Sequence, residues 1–289
     1  MDVQAANRIG AHAFRYLIAK PRSGRVASAF RRGFNVLFHE ESDPGFVSIQ
    51  MQDVPLHPWA VASVLARHVR VGESAAAEAD RIRFRESDVV IDISAAAVEE
   101  LKIKPYTSEE GERVLSRLPI LKELLEEERA KRNSDPFRPE IDAILKHWKE
   151  TGDSEVLLDL VGLGTGSTPS GDDALVGMLA GFTAFERISD EAKTSLLDLR
   201  VTLHSAENQG TSLPAAQMLA TAANGSVFEP VLEVLSALVS EFDRDVRPAT
   251  HSLASQGATS GLEMLAGILR SLEDLGSWRS VRRRDGHGV

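Results

Sequence analysis

The chain of 289 residues contains no cysteine. That excludes a disulfide scaffold, a thiolate nucleophile and Cys-ligated zinc, and it agrees with a cytoplasmic location. Positive charge is in deficit, with 33 Lys and Arg against 43 Asp and Glu and a formal net charge of −10. Such a surface suits neither nucleic acid nor an anionic membrane face, whose phosphates need cations opposite them. No run approaches the roughly 20 apolar residues that span a bilayer, and the N-terminus lacks a charged-then-apolar leader pattern. Also missing are a Gly-x-Ser-x-Gly elbow and the Gly-Lys-Ser/Thr ending of a nucleotide phosphate loop, which argues against nucleotide hydrolysis of the Walker type. The expectation is a cytoplasmic protein with no nucleic-acid or membrane partner. Its 43% hydrophobic content is sufficient for a full core in one large domain or two smaller ones.

The fold class reads as α+β, with a mainly β subdomain over residues 1–105 and a mainly helical subdomain over residues 106–289. Between Val26 and Ile93 the apolar residues come in short runs: FNVLFH, GFVSIQM and RIRFRESDVVIDIS. RIRFR alternates as a half-buried strand should, VVIDI has the β-branched density of a buried one, and Asp43-Pro44-Gly45 marks a turn. Pro58 to Arg70, PWAVASVLARHVR, has a helical period and is expected as a helix within this region. Beyond Pro105, Glu109 to Asn133 is charged and helix-favouring, and its run Glu126-Glu127-Glu128 reads as a solvated face. Asn133 to Pro139 is the best linker candidate, followed by a helix from Glu140 to Glu150. The basic run Arg279, Arg282, Arg283 and Arg284 is expected as a solvated tail.

The most informative stretch is Val161 to Gly181, VGLGTGSTPSGDDALVGMLAG. Gly162, Gly164, Gly166 and Gly171 permit positive φ and close backbone approach, while Thr165, Ser167, Thr168 and Ser170 supply hydroxyls. A helix starting near Ser170 would add unpaired N–H groups and the positive end of its dipole, which suits phosphate or carboxylate. Asp172 and Asp173 admit two readings. Either they accompany Mg2+, which favours one or two carboxylates plus ligand oxygens, or Asp173 completes a capping box with Ser170. Two later helix starts repeat the polar chemistry: Gly210-Thr211-Ser212 before PAAQMLATAAN, and Thr259-Ser260 before LEMLAGILRSLEDL, with Glu263 at capping-box spacing from Ser260. Gly177, Ala180, Gly181 and Ala184 give the first helix a small-residue face open to close packing. His204 and His251 precede the second and third starts and suit acid–base chemistry, and Asn208 is a weaker candidate.

The run GLGTGSTPSGDDALVG resembles the GLGxGxTPSGDD signature of the AllH-like family, related to a subunit of oxamate carbamoyltransferase. TSLPAAQMLATAANG and GATSGLEMLAG resemble its later elements, and Phe30, Asn35 and GFVSIQ resemble its N-terminal part more loosely, over most of residues 25 to 275. Thr165, Ser167 and Ala215 depart from the pattern, which has Pro, an apolar residue and Ser at those positions. The resemblance implies carbamoyl transfer from carbamoyl phosphate to oxamate or a related small amide or ureido acid, alongside other carbamoyltransferase subunits. The assigned catalytic residues are Asp172, Asp173 and His204, with Asp172 and Asp173 also holding any Mg2+. The ligand-binding set is Gly164, Gly166, Thr168, Ser170, Gly171, Thr211, Ser212, Thr259 and Ser260. The alternative is a non-catalytic scaffold or regulatory subunit that binds an anion or metal. No Lys or Arg lies between Val161 and Phe185, so a cationic clamp is missing from the loop itself.

Overall fold

The structure, a computed structural model, describes residues 2–39, 45–64, 69–132, 135–205 and 210–285. It forms two compact units, Met1–Leu101 and Lys102–Val289, each with its own apolar core. The α+β reading holds: a barrel-like β region is followed by a helical one.

In the first unit, β1 (Asp2–Gly10) leads into α1 (Ala11–Ala19). β2 (Arg22–Phe30), β3 (Gly33–Phe38), β4 (Gly45–Met51), β5 (Ala60–Ser63), β6 (Ser74–Glu78), β7 (Arg81–Phe84), β8 (Val89–Asp92) and β9 (Ala97–Glu99) follow. The order β5-β4-β3-β2-β6-β7-β8-β1 closes on itself because β1 also pairs β5, and β9 joins the C-terminal end of β1. Closure leaves these eight strands without a free edge to aggregate. Alternation supplies the core: Phe34, Val36 and Phe38 point inward from β3, and Ile82 and Phe84 from β7, where Arg81 and Arg83 point out. The Phe34 and Phe84 rings meet edge-on at 5.2 Å.

The helix expected over Pro58–Arg70 is overturned by β5. Ala60–Ser63 lies between β4, parallel, and β1, antiparallel, with all four residues buried. Hydrogen-bond partners on both sides and burial on both faces override a helical period in so short a segment. The Asp43-Pro44 turn and residues 65–68 lie outside the described residues.

The second unit contains α2 (Ser108–Ala130), α3 (Arg138–Thr151), α4 (Ser170–Phe185), α5 (Asp190–Ser205), α6 (Leu213–Ala223), α7 (Glu229–Val239), α8 (Val246–Ala254) and α9 (Ser260–Asp285). A capping box fixes the start of α2: Thr107 Oγ1 accepts the Glu110 N–H, and the Glu110 carboxylate accepts the Thr107 N–H. The solvated-face reading fails at Glu128, which is buried with its carboxylate between Lys131 and His251. The linker candidate ends where α3 begins, with Pro139 in its first turn. Every residue of α4 is buried, which makes it the central helix of the unit and explains its apolar character on all sides. Its small-residue face is used within the chain: a Cβ on Gly177 would collide with the Met264 carbonyl, one on Gly267 with the Ala174 carbonyl, and one on Gly181 with the Ser271 hydroxyl. That face therefore seats α9, not another subunit. The basic run expected as a tail forms the last turns of α9.

Candidate functional site

Three loop-to-helix junctions meet at the N-terminus of α4. Gly162 is at φ +76° and Gly164 at φ +129°. A Cβ on Gly162 would strike the Gly210 carbonyl, so the first loop lies directly against the second. A Cβ on Gly164 would stand 2.6 Å from the Ser170 nitrogen, so the loop also folds back on the start of its own helix. The Gly171 N–H donates to the Leu163 carbonyl at 2.8 Å, closing that turn.

Side chains then stitch the junctions together. The Thr211 hydroxyl donates to Asp172 Oδ2 at 2.6 Å, and the Gly162 N–H faces both Asp172 oxygens at 3.2 Å. Ser212 donates its hydroxyl to the Ser167 carbonyl at 2.5 Å and caps α6 by accepting the Ala215 N–H. From the third junction, Ser260 Oγ lies 3.0 Å from Thr168 Oγ1, and Thr259 Oγ1 lies 3.3 Å from Ser170 Oγ. The structure thus brings Gly164, Thr168, Ser170, Gly171, Asp172, Thr211, Ser212, Thr259 and Ser260 into one cluster, with Gly166 on its exposed side.

The outer part of the first loop is open. Thr165, Gly166 and Ser167 are exposed, and Gly166 adopts φ +97° with nothing within 4 Å of where a Cβ would stand. The N–H groups of Gly164, Thr165, Gly166, Ser167 and Thr168 are taken up by no acceptor among the described residues. Free N–H groups beside left-handed glycines, next to the positive end of a helix, are the chemistry that suits an anion.

Both aspartates turn inward, and neither caps. Pro169 occupies the N-cap of α4, Ser170 is already helical, and no side chain caps the first turn. The Ser170–Asp173 capping box is therefore absent. Asp172 is 0% exposed; burial raises its carboxyl above the ordinary range, partly offset by the bonds from Thr211 and Gly162. Asp173, also 0% exposed, has no hydrogen bond of good geometry to either oxygen among the described residues. Burial pushes it well above the ordinary carboxylate range; the nearby Ser260 hydroxyl opposes that shift, and the charges of Asp172, Glu263 and Asp135 add to it. This donor set does not suit Mg2+. Asp172 has committed its oxygens to Gly162 and Thr211, Asp173 is enclosed, and no group of three or more His, Asp or Glu among the described residues is arranged to hold a metal ion.

Glu263 makes no capping box with Ser260. Its buried carboxylate lies 3.6 Å from Arg138 Nε and 3.8 Å from Arg129, and burial raises it against the pull of these two arginines. Arg129, Arg138 and Asp135 are the residues sequence reasoning missed. They sit some thirty positions upstream in a stretch read as plain helix and linker, and only the fold brings them to the first turn of α9. His204 is exposed in the last turn of α5. His251 is exposed and pairs with Glu128 at 3.2 Å, a surface role. Asn208 lies outside the described residues.

The family model described as oxamate carbamoyltransferase subunit AllH matches residues 160–272, a span that contains all three junctions. Over those residues the chain is similar to that family, and the match does not extend to the β unit. No curated protein and no solved structure matches the chain. No described helix is long and apolar enough to cross a membrane.

Proposed function

We propose that this chain is the anion-holding subunit of a cytoplasmic carbamoyltransferase that acts on oxamate, or a related small amide or ureido acid, with carbamoyl phosphate. The observation that carries this reading is the open row of N–H groups from Gly164 to Thr168 at the N-terminus of α4, within the AllH-like part of the chain. Phosphate or carboxylate fits that row, and the hydroxyls of Thr168, Ser170, Thr259 and Ser260 extend it towards the start of α9. Carbamoyl transfer joins the amide nitrogen to the carbamoyl carbon, breaks the bond from that carbon to the phosphate oxygen, and moves one amide proton to the departing phosphate. Holding both reactants in line, with donors facing the oxygen that gains charge, supplies the rate. His204, in the helix that precedes the second junction, is the candidate for moving the proton.

A partner subunit completes this picture. Arg129 and Arg138 face Glu263, and the cationic clamp on the phosphate is assigned to another chain. A second reading, a subunit that binds an anion for regulation or assembly, is favoured by the inward placement of Asp172 and Asp173. Purified chain should bind inorganic phosphate in calorimetry and release none from carbamoyl phosphate and oxamate until carbamoyltransferase partner subunits are added. Turnover by the chain alone removes the partner requirement. Phosphate binding without turnover in any combination selects the second reading, and absence of phosphate binding refutes the anion site.

A further inference from the structure

The open loop is held at one point by a residue that does not belong to it. Among the described residues, the backbone of residues 164–168 takes part in a single hydrogen bond, which the Ser212 hydroxyl donates to the Ser167 carbonyl at 2.5 Å. Gly164 and Gly166 are at positive φ within this stretch, and nothing lies within 4 Å of where a Cβ on Gly166 would stand. Glycine has the most backbone freedom to lose, so such a loop keeps one shape only where a group outside it fixes the peptide planes.

Ser212 is itself firmly placed. It is the N-cap of α6, extended at φ −72° and ψ 153°, and its oxygen accepts the N–H of the buried Ala215, with Pro214 in the first turn. The preceding residue, Thr211, is tied to Asp172. A hydroxyl has one proton to donate. Ser212 gives its proton to Ser167 and Thr211 gives its own to Asp172, so neither hydroxyl has one left for an anion. Ser212 is therefore not the direct ligand donor that its place in the sequence suggests.

Its bond acts on the next residue instead. A trans peptide is planar, and its C=O and the N–H that follows point in opposite directions. Holding the Ser167 carbonyl towards α6 holds the Thr168 N–H away from α6, and it disfavours the flipped peptide that would turn the carbonyl oxygen to the side where the N–H now points.

We propose that Ser212 is a positioning residue of the anion site: its hydroxyl fixes the Ser167–Thr168 peptide so that the loop offers an N–H group, not a carbonyl oxygen, to phosphate or carboxylate. The inference rests on the anion-site reading above. It adds to that reading a role for the second junction, which sets the shape of the loop without touching the ligand.

Two variants separate this role from capping. Ser212→Gly leaves a tolerated N-cap and deletes the donor, whereas Ser212→Thr retains both functions. With sulfate as the probe in calorimetry, Ser212→Gly should bind roughly tenfold more weakly, as for a competent peptide orientation populated about one-tenth of the time. Ser212→Thr should bind as wild type does. In the ligand-free protein, the 15N–1H signal of Thr168 should move or broaden in Ser212→Gly and keep its wild-type position in Ser212→Thr. A Thr168 signal unchanged in Ser212→Gly overturns the positioning role, whether sulfate affinity is retained, which leaves Ser212 a cap alone, or lost, which makes it a direct contact. Wild-type sulfate affinity in Ser212→Gly overturns that role even if the Thr168 signal moves. Failure of wild type to bind sulfate overturns the anion site itself, and the inference with it.

Discussion

Asp172 accepts the Thr211 hydroxyl at 2.6 Å from inside the first turn of α4, and so ties the second loop to the first. The bond is charge-assisted and enclosed, and the only other donor to this carboxylate among the described residues is the Gly162 N–H, at 3.2 Å from both oxygens. Thr211→Val keeps the shape and deletes the donor, leaving a buried carboxylate short of a partner. A loss of about 1–3 kcal/mol in urea denaturation is expected, with Thr211→Ser recovering most of it. An unchanged midpoint for Thr211→Val would mean that the two loops are held together by something else.

Gly162 and Gly166 both adopt positive φ but differ in their surroundings. Alanine at Gly166 meets open space and incurs the conformational cost alone, about 1–2 kcal/mol. Alanine at Gly162 incurs that cost and also collides with the Gly210 carbonyl. Thermal melts should therefore rank Gly162→Ala well below Gly166→Ala. Phosphate titration should find the larger relative change at Gly166, whose N–H lies in the open row. Equal stability losses would show that the first and second loops do not touch.

The parts of this arrangement that were legible in the sequence are those written in short-range patterns. The β and helical halves, the start of α4 at Ser170, the polar start of α6 at Gly210–Ser212 and the small-residue face each rest on periodicity, turn formers or residue types within a few positions. What was not legible depends on distant contacts. Pro58–Arg70 has a helical period, but Ala60–Ser63 closes the barrel because β4 and β1 offer hydrogen bonds on either side. Ser170 and Asp173 have capping spacing, but Pro169 takes the cap and Asp173 turns into a cluster whose other members come from residues 129, 135, 138 and 263. The small-residue face was readable, whereas its occupant, α9, was not: small residues announce close approach without naming what approaches.

The crossing of α4 and α9 supplies a test of packing. Gly177 and Gly267 face opposite backbones, each below the carbonyl of the other helix, so either alanine forces the helices apart. Each single substitution is expected to cost at least about 1–3 kcal/mol. The double variant should cost less than the sum, because the separation imposed by one alanine also makes room for the other. Strict additivity in a double-mutant cycle would indicate that each site relaxes locally and the helices do not move as bodies.

Stability should also fall as pH rises, because the raised carboxyls belong to the folded state. Burial is the leading cause for Asp172, Asp173 and Glu263 alike. In the unfolded chain these groups titrate near the usual carboxylate range, roughly pH 4. The folded chain therefore binds protons more tightly than the unfolded one between that range and its own higher ionisation. The stabilisation is fully present below the unfolded range and is lost as pH rises through the folded one, at up to about 1.4 kcal/mol per pH unit for one group. Asp173→Asn cannot ionise, so it should match wild type in acid and exceed it increasingly towards pH 8, with a shallower slope of denaturation free energy against pH. Glu263 has two arginines to oppose its burial, and Glu263→Gln strands both, so that variant should lose stability throughout. If Asp173→Asn instead becomes progressively less stable than wild type as the pH rises, Asp173 is a partnered carboxylate in the folded protein.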